Sequence, residues 1–261
     1  MRAIYYPGIV PVDEVGGTTA LRRSGHLRCL ISCAAYKSDR VVDRAAELEE
    51  EGFHVIVDSG IFTLLYGPAR AENPAARNDK LFSQWLRTIE DLAKVTKRAT
   101  FVEWDAQDVV GLNTIRQYRA AAENVAPGRL MYVWHRADGA ESLREHAGRY
   151  VGITLRGDFG YRDNLVGTAQ SAARVLRSLG ARVHLLGVSS EKILFQLRGL
   201  FDTFDSSSWC AETRFGSPES ADPLERYLVY SKRHALAHEY CMYKELKRLR
   251  EYVVCEEGRH G

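Results

Sequence analysis

Three aspartates stand where apolar runs stop: Asp58 in HVIVDSG, Asp105 in TFVEWDA and Asp205 in LFDTFDSSSW. A trio of carboxylates in one cleft can divide the work of nucleophile, general acid/base and substrate clamp, because burial and mutual repulsion set their pKa values apart. Taken singly, an aspartate after a strand is as readily a helix cap or a turn residue. The trio therefore means chemistry only if the fold brings these strand ends together. Other strand ends also carry groups able to exchange protons or hydrogen bonds: Ser59 and Gly60 beside Asp58, then His135, Arg156, Gly187 and Ser206.

The elements that must position these residues alternate along the chain. Apolar, β-branched runs fall at Ala3–Val10, Leu27–Cys33, His54–Val57, Thr100–Trp104, Arg129–Trp134, Tyr150–Leu155, Arg182–Val188 and Phe201–Phe204. Helical spacing fills Arg40–Glu51, Lys80–Val95, Leu112–Val125, Glu141–Arg149, Gly167–Leu179 and Ser190–Arg198, and a long helix over Pro223–Tyr252 closes the chain. Eight strands alternating with helices predict a parallel α/β protein, and eight is the number that closes a TIM barrel. An open doubly wound sheet would gather its chemistry at one switch point. Here it is spread over many strand ends, as in a barrel. The expected fold is α/β, a single (β/α)8 TIM barrel over residues 1–261 with a long C-terminal helix.

Composition narrows the function classes. The 261 residues are 45% hydrophobic and 27% charged, which excludes a disordered chain, a collagen-like repeat and a small disulfide scaffold. A net charge of +2 excludes holding nucleic acid by bulk charge, although it leaves room for local basic faces. No apolar run approaches the ~20 residues of a membrane span, and MRAIYYPGIVPVDEVGG lacks the apolar core of a signal peptide. Five scattered cysteines suit free thiols in a reducing, cytoplasmic setting, with Cys29 and Cys33 reading as small buried hydrophobes.

The stretch Val183–Trp209, VHLLGVSSEKILFQLRGLFDTFDSSSW, resembles the block "YLMGVG…DILGAV…GIDMFDC" of the tRNA-guanine transglycosylases. Asp58-Ser59-Gly60-Ile61-Phe62 is similar to the family's "DSGGF/Y", and Phe101–Asp105 matches an aspartate-terminated strand. The ending DSSSW and the early LISCAAYK are closer to the shorter DNA-modifying relatives, the DpdA-type 7-deazaguanine transglycosylases. The resemblance covers about residues 25–250. It implies that Asp205 attacks the anomeric carbon of a nucleotide and expels guanine, leaving a glycosyl ester, while Asp58 serves as general acid/base. By the same resemblance Asp105 would accept hydrogen bonds from the base's amidine-like edge and Phe62 would stack on the base. Leu186 would lie beneath the base, and the backbone at Gly187 would allow close approach, with Ser59 and Gly60 completing the base pocket. No redox cofactor, metal or ATP is needed, because the covalent intermediate keeps the energy of the old glycosidic bond.

The sequence departs from that family in three places. His135 stands where the family has Gln, and Thr154-Leu155 where it has Gly-Gly. The zinc motif CxCxxC…H after the nucleophile is missing, so the fold is expected without the zinc-binding subdomain. Cys210, His234, His238 and Cys241 are the remaining candidates for a structural zinc, the last three at i, i+4 and i+7 on one helix face. A packed His/Cys face is the competing reading. The expected reaction is exchange of guanine in a polynucleotide, DNA favoured over tRNA, for a 7-deazapurine base such as preQ0. Action on free nucleosides or nucleotides, or service as a non-catalytic partner subunit, remains open at this level. The polymer would meet Arg156, Arg162 and Arg214 around the strand ends. The basic residues Lys232, Arg233, Lys244, Lys247, Arg248 and Arg250 of the last helix read equally as a solvated face paired with Glu239, Glu245 and Glu251.

Overall fold

The structure is a computed structural model that describes residues 3–10, 14–36, 38–61, 74–155, 165–188, 190–207, 209, 223–230, 233–250 and 252. Eight parallel strands pair in sequence order and close into a barrel through the contact of the first with the last. They are β1 (Ile4–Ile9), β2 (Arg28–Ser32), β3 (His54–Asp58), β4 (Thr100–Val102), β5 (Leu130–Trp134), β6 (Tyr150–Thr154), β7 (Arg182–Leu186) and β8 (Thr203–Ser206). The expected TIM barrel is therefore the observed architecture.

Nine described helices accompany the strands: α1 (Glu14–Arg23), α2 (Ser38–Glu50), α3 (Pro74–Val95), α4 (Gln107–Val110), α5 (Leu112–Val125), α6 (Leu165–Ser178), α7 (Glu191–Leu197), α8 (Pro223–Tyr230) and α9 (His234–Arg248). None of them is long and apolar enough to cross a membrane.

Alternation along each strand sends one set of side chains into the barrel and the other toward the helices. Tyr6, Leu30, Ile56, Val102, Met131 and Val133, from five successive strands, form the apolar part of the interior, and Leu186 packs against them. The outward set, including Ile31, Val55, Val57 and Phe101, packs against Leu48, Trp85, Ile89 and Leu92 of the helices. Each fully buried side chain of this size contributes about 1.5–3 kcal/mol. The register sets Ser32 beside Asp58, Tyr6 beside Asp205 and His184 beside Thr203.

Helix α4 has no counterpart in the sequence reading, α3 begins at Pro74 rather than Lys80, β4 ends at Val102 rather than Trp104, and four further elements differ from that reading. Helix α1 has no counterpart in it, because Gly16, Gly17, Thr18 and Thr19 are weak helix formers. Its glycines exist for packing: a Cβ on Gly16 would lie 2.2 Å from the carbonyl oxygen of Ala235 in α9. The expected long C-terminal helix is two, α8 and α9. The Arg233 amide donates to the Leu228 carbonyl at 2.9 Å, a bond spanning five residues that closes α8 in the manner of a Schellman turn. The expected helix over Glu141–Arg149 is a 3-10 segment, Glu141–His146, cut short by an extended Ala147 and by Gly148 at φ 67°. Strand β8 begins and ends later than expected, so Asp205 lies within it rather than after it.

Candidate active site at the barrel mouth

Asp58 is the last residue of β3, and its carboxylate accepts the Gly60 amide and the Ser32 hydroxyl. Burial raises its pKa to about 6. The Gly60 amide resists that shift, the negative charges of Asp205 and Asp105 add to it, and the Ser32 hydroxyl resists it in turn. The three carboxylates are thus close enough to feel one another.

Gly60 is required here. Its φ is 73°, and a Cβ would sit 2.5 Å from both the Cβ and the amide nitrogen of Ala34. Ser59 is buried, accepts the Ile61 amide on Oγ at 3.5 Å, and lines a small cavity with Cys33, Trp85 and Trp104. Burial pushes the Cys33 thiol up to about 12, with the charge of Asp58 adding to the shift, so this cysteine stays protonated and unreactive.

Asp105 follows β4 and meets His135, which directly follows β5: Nε2 lies 2.5 Å from Asp105 Oδ1. Burial works against a charge on the ring, but the field and hydrogen bond of Asp105 carry its pKa up to about 9. The His135 amide donates to Asp138 at 2.9 Å, which sets the turn that aims the ring. A buried ion pair frames this dyad. Glu103 takes both Nε and a terminal nitrogen of Arg119, at 2.6 and 2.8 Å, and also accepts the Val133 amide at 2.6 Å. The Arg119 guanidinium lies 4.3 Å from the centre of the Tyr132 ring. Strands β4 and β5 and helix α5 are locked together at the level of the dyad.

Asp205 is held from β7. Oδ1 stands 2.9 Å from His184 Nε2 and accepts the Gly187 amide at 2.9 Å. Gly187 reaches it with φ at 64°, a conformation that favours glycine. The His184 ring is fully buried, and its Nδ1 lies 2.7 Å from Thr203 Oγ1 and 3.2 Å from the Tyr150 hydroxyl. Tyr150 and Thr203 are themselves 2.6 Å apart. Leu186 projects over Gly152 of β6, where a Cβ would come within 2.8 Å of its Cδ1, and so caps the apolar interior below the carboxylates. Trp209, at the end of DSSSW, donates to the Gly8 carbonyl at 2.9 Å and packs on Gly17, anchoring the chain after β8 to β1 and α1.

The structure therefore gathers Asp58, Gly60, Asp105, His135, Leu186, Gly187 and Asp205 at the carboxyl ends of the strands. Gly60 and Gly187 donate their amides to the two catalytic candidates, and His135 is engaged by Asp105. Phe62 and Arg156 lie outside the described residues, as do Arg162, Cys210, Arg214 and Lys232. Sequence reasoning missed His184, Thr203, Tyr150, Glu103 and Arg119. The available signal for His184 was a polar residue at an inward strand position, two before Leu186.

Among the described residues no three His, Cys, Asp or Glu side chains gather closely enough to hold a metal ion. His238 and Cys241 are buried, with His238 edge-on to the Trp209 ring at 6.3 Å, whereas His234 is exposed. That is the geometry of a packed face. In α9, Lys244 pairs with Glu225 at 2.6 Å, and Arg248 pairs with Glu245 and Glu191 at 2.7 and 2.8 Å.

No protein-family model and no curated protein matches the chain. Among solved structures it is similar to a putative fructose-1,6-biphosphate aldolase from Coccidioides immitis, at a TM-score of 0.57 and 11% identity over 96% of this chain and 90% of that one. It is also similar to a mutant tryptophan synthase alpha-subunit from the hyperthermophile Pyrococcus furiosus, at a TM-score of 0.55 and 12% identity over 95% of this chain and 98% of that one. At such identities the likeness is one of architecture: the chain is a TIM barrel.

Proposed function

We propose that this barrel is an enzyme of the pentosyltransferase type, a base-exchange transglycosylase. It would replace guanine in a polynucleotide, DNA in preference to tRNA, with a 7-deazaguanine such as preQ0. The observation that carries the reading is a division of labour between two carboxylates. Asp205 has one oxygen bonded to His184 and Gly187, and Asp58, at the end of β3, has a pKa raised to about 6. Such a pair supplies a nucleophile and a proton carrier at one mouth.

In the exchange, an Asp205 oxygen bonds to C1′ as the bond to guanine breaks, and protonated Asp58 delivers its proton to the departing base. The incoming base then loses its ring N–H proton to Asp58 and bonds to C1′, and Asp205 leaves as a carboxylate. Two displacements retain the configuration at C1′. Asp105, paired with His135, would accept N–H groups from the purine edge.

The test incubates the protein with radiolabelled guanine and, in parallel, with duplex DNA, single-stranded DNA and tRNA. The expected result is label entering DNA. Label in tRNA alone would reassign the substrate, and label in no polymer would overturn the reading.

A further inference from the structure

We propose that His184 is the positioning residue that makes Asp205 a one-oxygen nucleophile and a competent leaving group. The inference rests on the transglycosylase reading for its chemistry and on the barrel interior for its geometry. Two donors reach Asp205, His184 Nε2 and the Gly187 amide, and both converge on Oδ1, each at 2.9 Å. Among the described residues no hydrogen bond engages Oδ2. A carboxylate held by two donors on one oxygen presents the other to an electrophile in a fixed direction.

The proton positions follow from the partners. Asp205 accepts at Oδ1, so Nε2 of His184 carries the hydrogen, and in the neutral ring Nδ1 accepts. Thr203, 2.7 Å from Nδ1, can fill that role by donating its hydroxyl, and the Tyr150 hydroxyl, 2.6 Å from Thr203 Oγ1, donates to it in turn. Tyr150, Thr203 and His184 form a chain of donors pointing one way, each with a single hydrogen to give, and the Asp205 carboxylate accepts at its end. It lies within the barrel, with His184 fully buried and Thr203 beside it in the β7–β8 register. Packing locks the tautomer as well as the ring.

This arrangement bears unequally on the two displacements. When Oδ2 bonds to C1′, the aspartate loses its charge and Oδ1 becomes the carbonyl of an ester. When the incoming base displaces it, the electron pair of the breaking C1′–Oδ2 bond returns to the carboxylate, whose charge is shared with Oδ1. There the His184 and Gly187 N–H groups wait in place, as an oxyanion hole does. Removing His184 takes away one of the two donors on Oδ1, which leaves attack through Oδ2 possible and hinders departure of the carboxylate.

The experiment compares His184→Leu, which keeps the bulk and loses the donor, with His184→Gln, whose amide can still donate. For wild type and both variants, release of labelled guanine in a single turnover is measured, together with the fraction of protein covalently bound to DNA after denaturation. In His184→Leu, steady-state exchange should fall about 100-fold, the loss of one oxyanion donor, while the trapped adduct increases. His184→Gln should recover much of the exchange. A merely structural role would lower adduct formation and exchange together, and that result, or unchanged exchange in His184→Leu, would overturn the proposal.

A second measurement needs no substrate. In the imidazole ¹⁵N spectrum of the free protein, His184 should show hydrogen on Nε2, and Asp205→Asn should shift that resonance. A spectrum of this kind without transfer to any polymer would sink the transglycosylase reading and leave the clamp standing. Hydrogen on Nδ1 with none on Nε2 would remove the clamp itself.

Discussion

At the scale of single residues, the two candidate catalytic aspartates make separable predictions. Asp205→Asn keeps the size of the side chain and an acceptor for the His184 and Gly187 N–H groups, so the barrel should fold and melt as wild type does. It should release no guanine in a single-turnover assay, and substantial residual release would remove Asp205 as the nucleophile. Asp58→Asn should behave differently. The folded pKa of Asp58, about 6, lies above the ordinary aspartate value, so the folded chain holds this proton more tightly than the unfolded chain. The resulting contribution to stability is present at low pH and is lost as pH rises through about 6. At pH 7.5 an ionised Asp58 is therefore a liability of about 1–3 kcal/mol, and Asp58→Asn should raise the melting temperature there while abolishing exchange. Equal or lower melting of the variant at pH 7.5 would contradict the raised pKa. If Asp58 is the proposed acid for guanine departure, the rate of release should also fall as pH rises through about 6 in wild type.

At the scale of elements, the mouth depends on turns that admit one backbone shape. Between β3 and the chain beyond it, Gly60 turns at φ 73° against Ala34 while giving its amide to Asp58. Gly60→Ala forces a side chain into a left-handed conformation and into backbone contact at once. It should cost about 2 kcal/mol or more, measured as a lowered denaturant midpoint, and should displace the amide that restrains the pKa of Asp58. The elements also show why some of the fold was legible and some was not. Runs such as HVIVD and LMYVW declare strands because both faces of a barrel strand are buried. The aspartate ending one of them is conspicuous for the same reason. Helix α1 was illegible because its glycines answer to α9, more than 200 residues away, rather than to local helix propensity. The break between α8 and α9 was hidden because the closing bond, from Arg233 to Leu228, uses backbone atoms and leaves no side-chain signature. His184 was hidden too: strand alternation marks it as inward-facing, but only the register of β7 on β8 gives it Thr203 and Asp205 as company.

At the scale of the whole molecule, the half-buried His54 and the buried His146 contribute to the response to acid. Burial is the main cause that holds the pKa of His54 and His146 down at about 4, with the positive charges of Arg28 and Arg119 respectively acting in the same direction. Each folded pKa lies below the ordinary histidine value. The stability they represent is therefore complete above about 6.5 and is lost as pH falls toward 4. This acid-side loss opposes the gain from protonating Asp58. His146 is the simpler one to remove, because its Nδ1 is buried without a hydrogen bond and its ring rests edge-on against Tyr132 at 5.8 Å. His146→Phe keeps the ring contact and discards the charge. It should flatten the decline in stability between pH 6.5 and 4 by about 2 kcal/mol, read from denaturation curves at several pH values; an unchanged slope would deny His146 that part. The barrel also joins sequence-distant parts, since β1 completes the ring only against β8. That last seam is the strand that carries Asp205. A nascent chain that has not yet added β8 has an open sheet edge and lacks Asp205, so sealing of the cylinder and delivery of the proposed nucleophile to the mouth are one event in the life of each molecule.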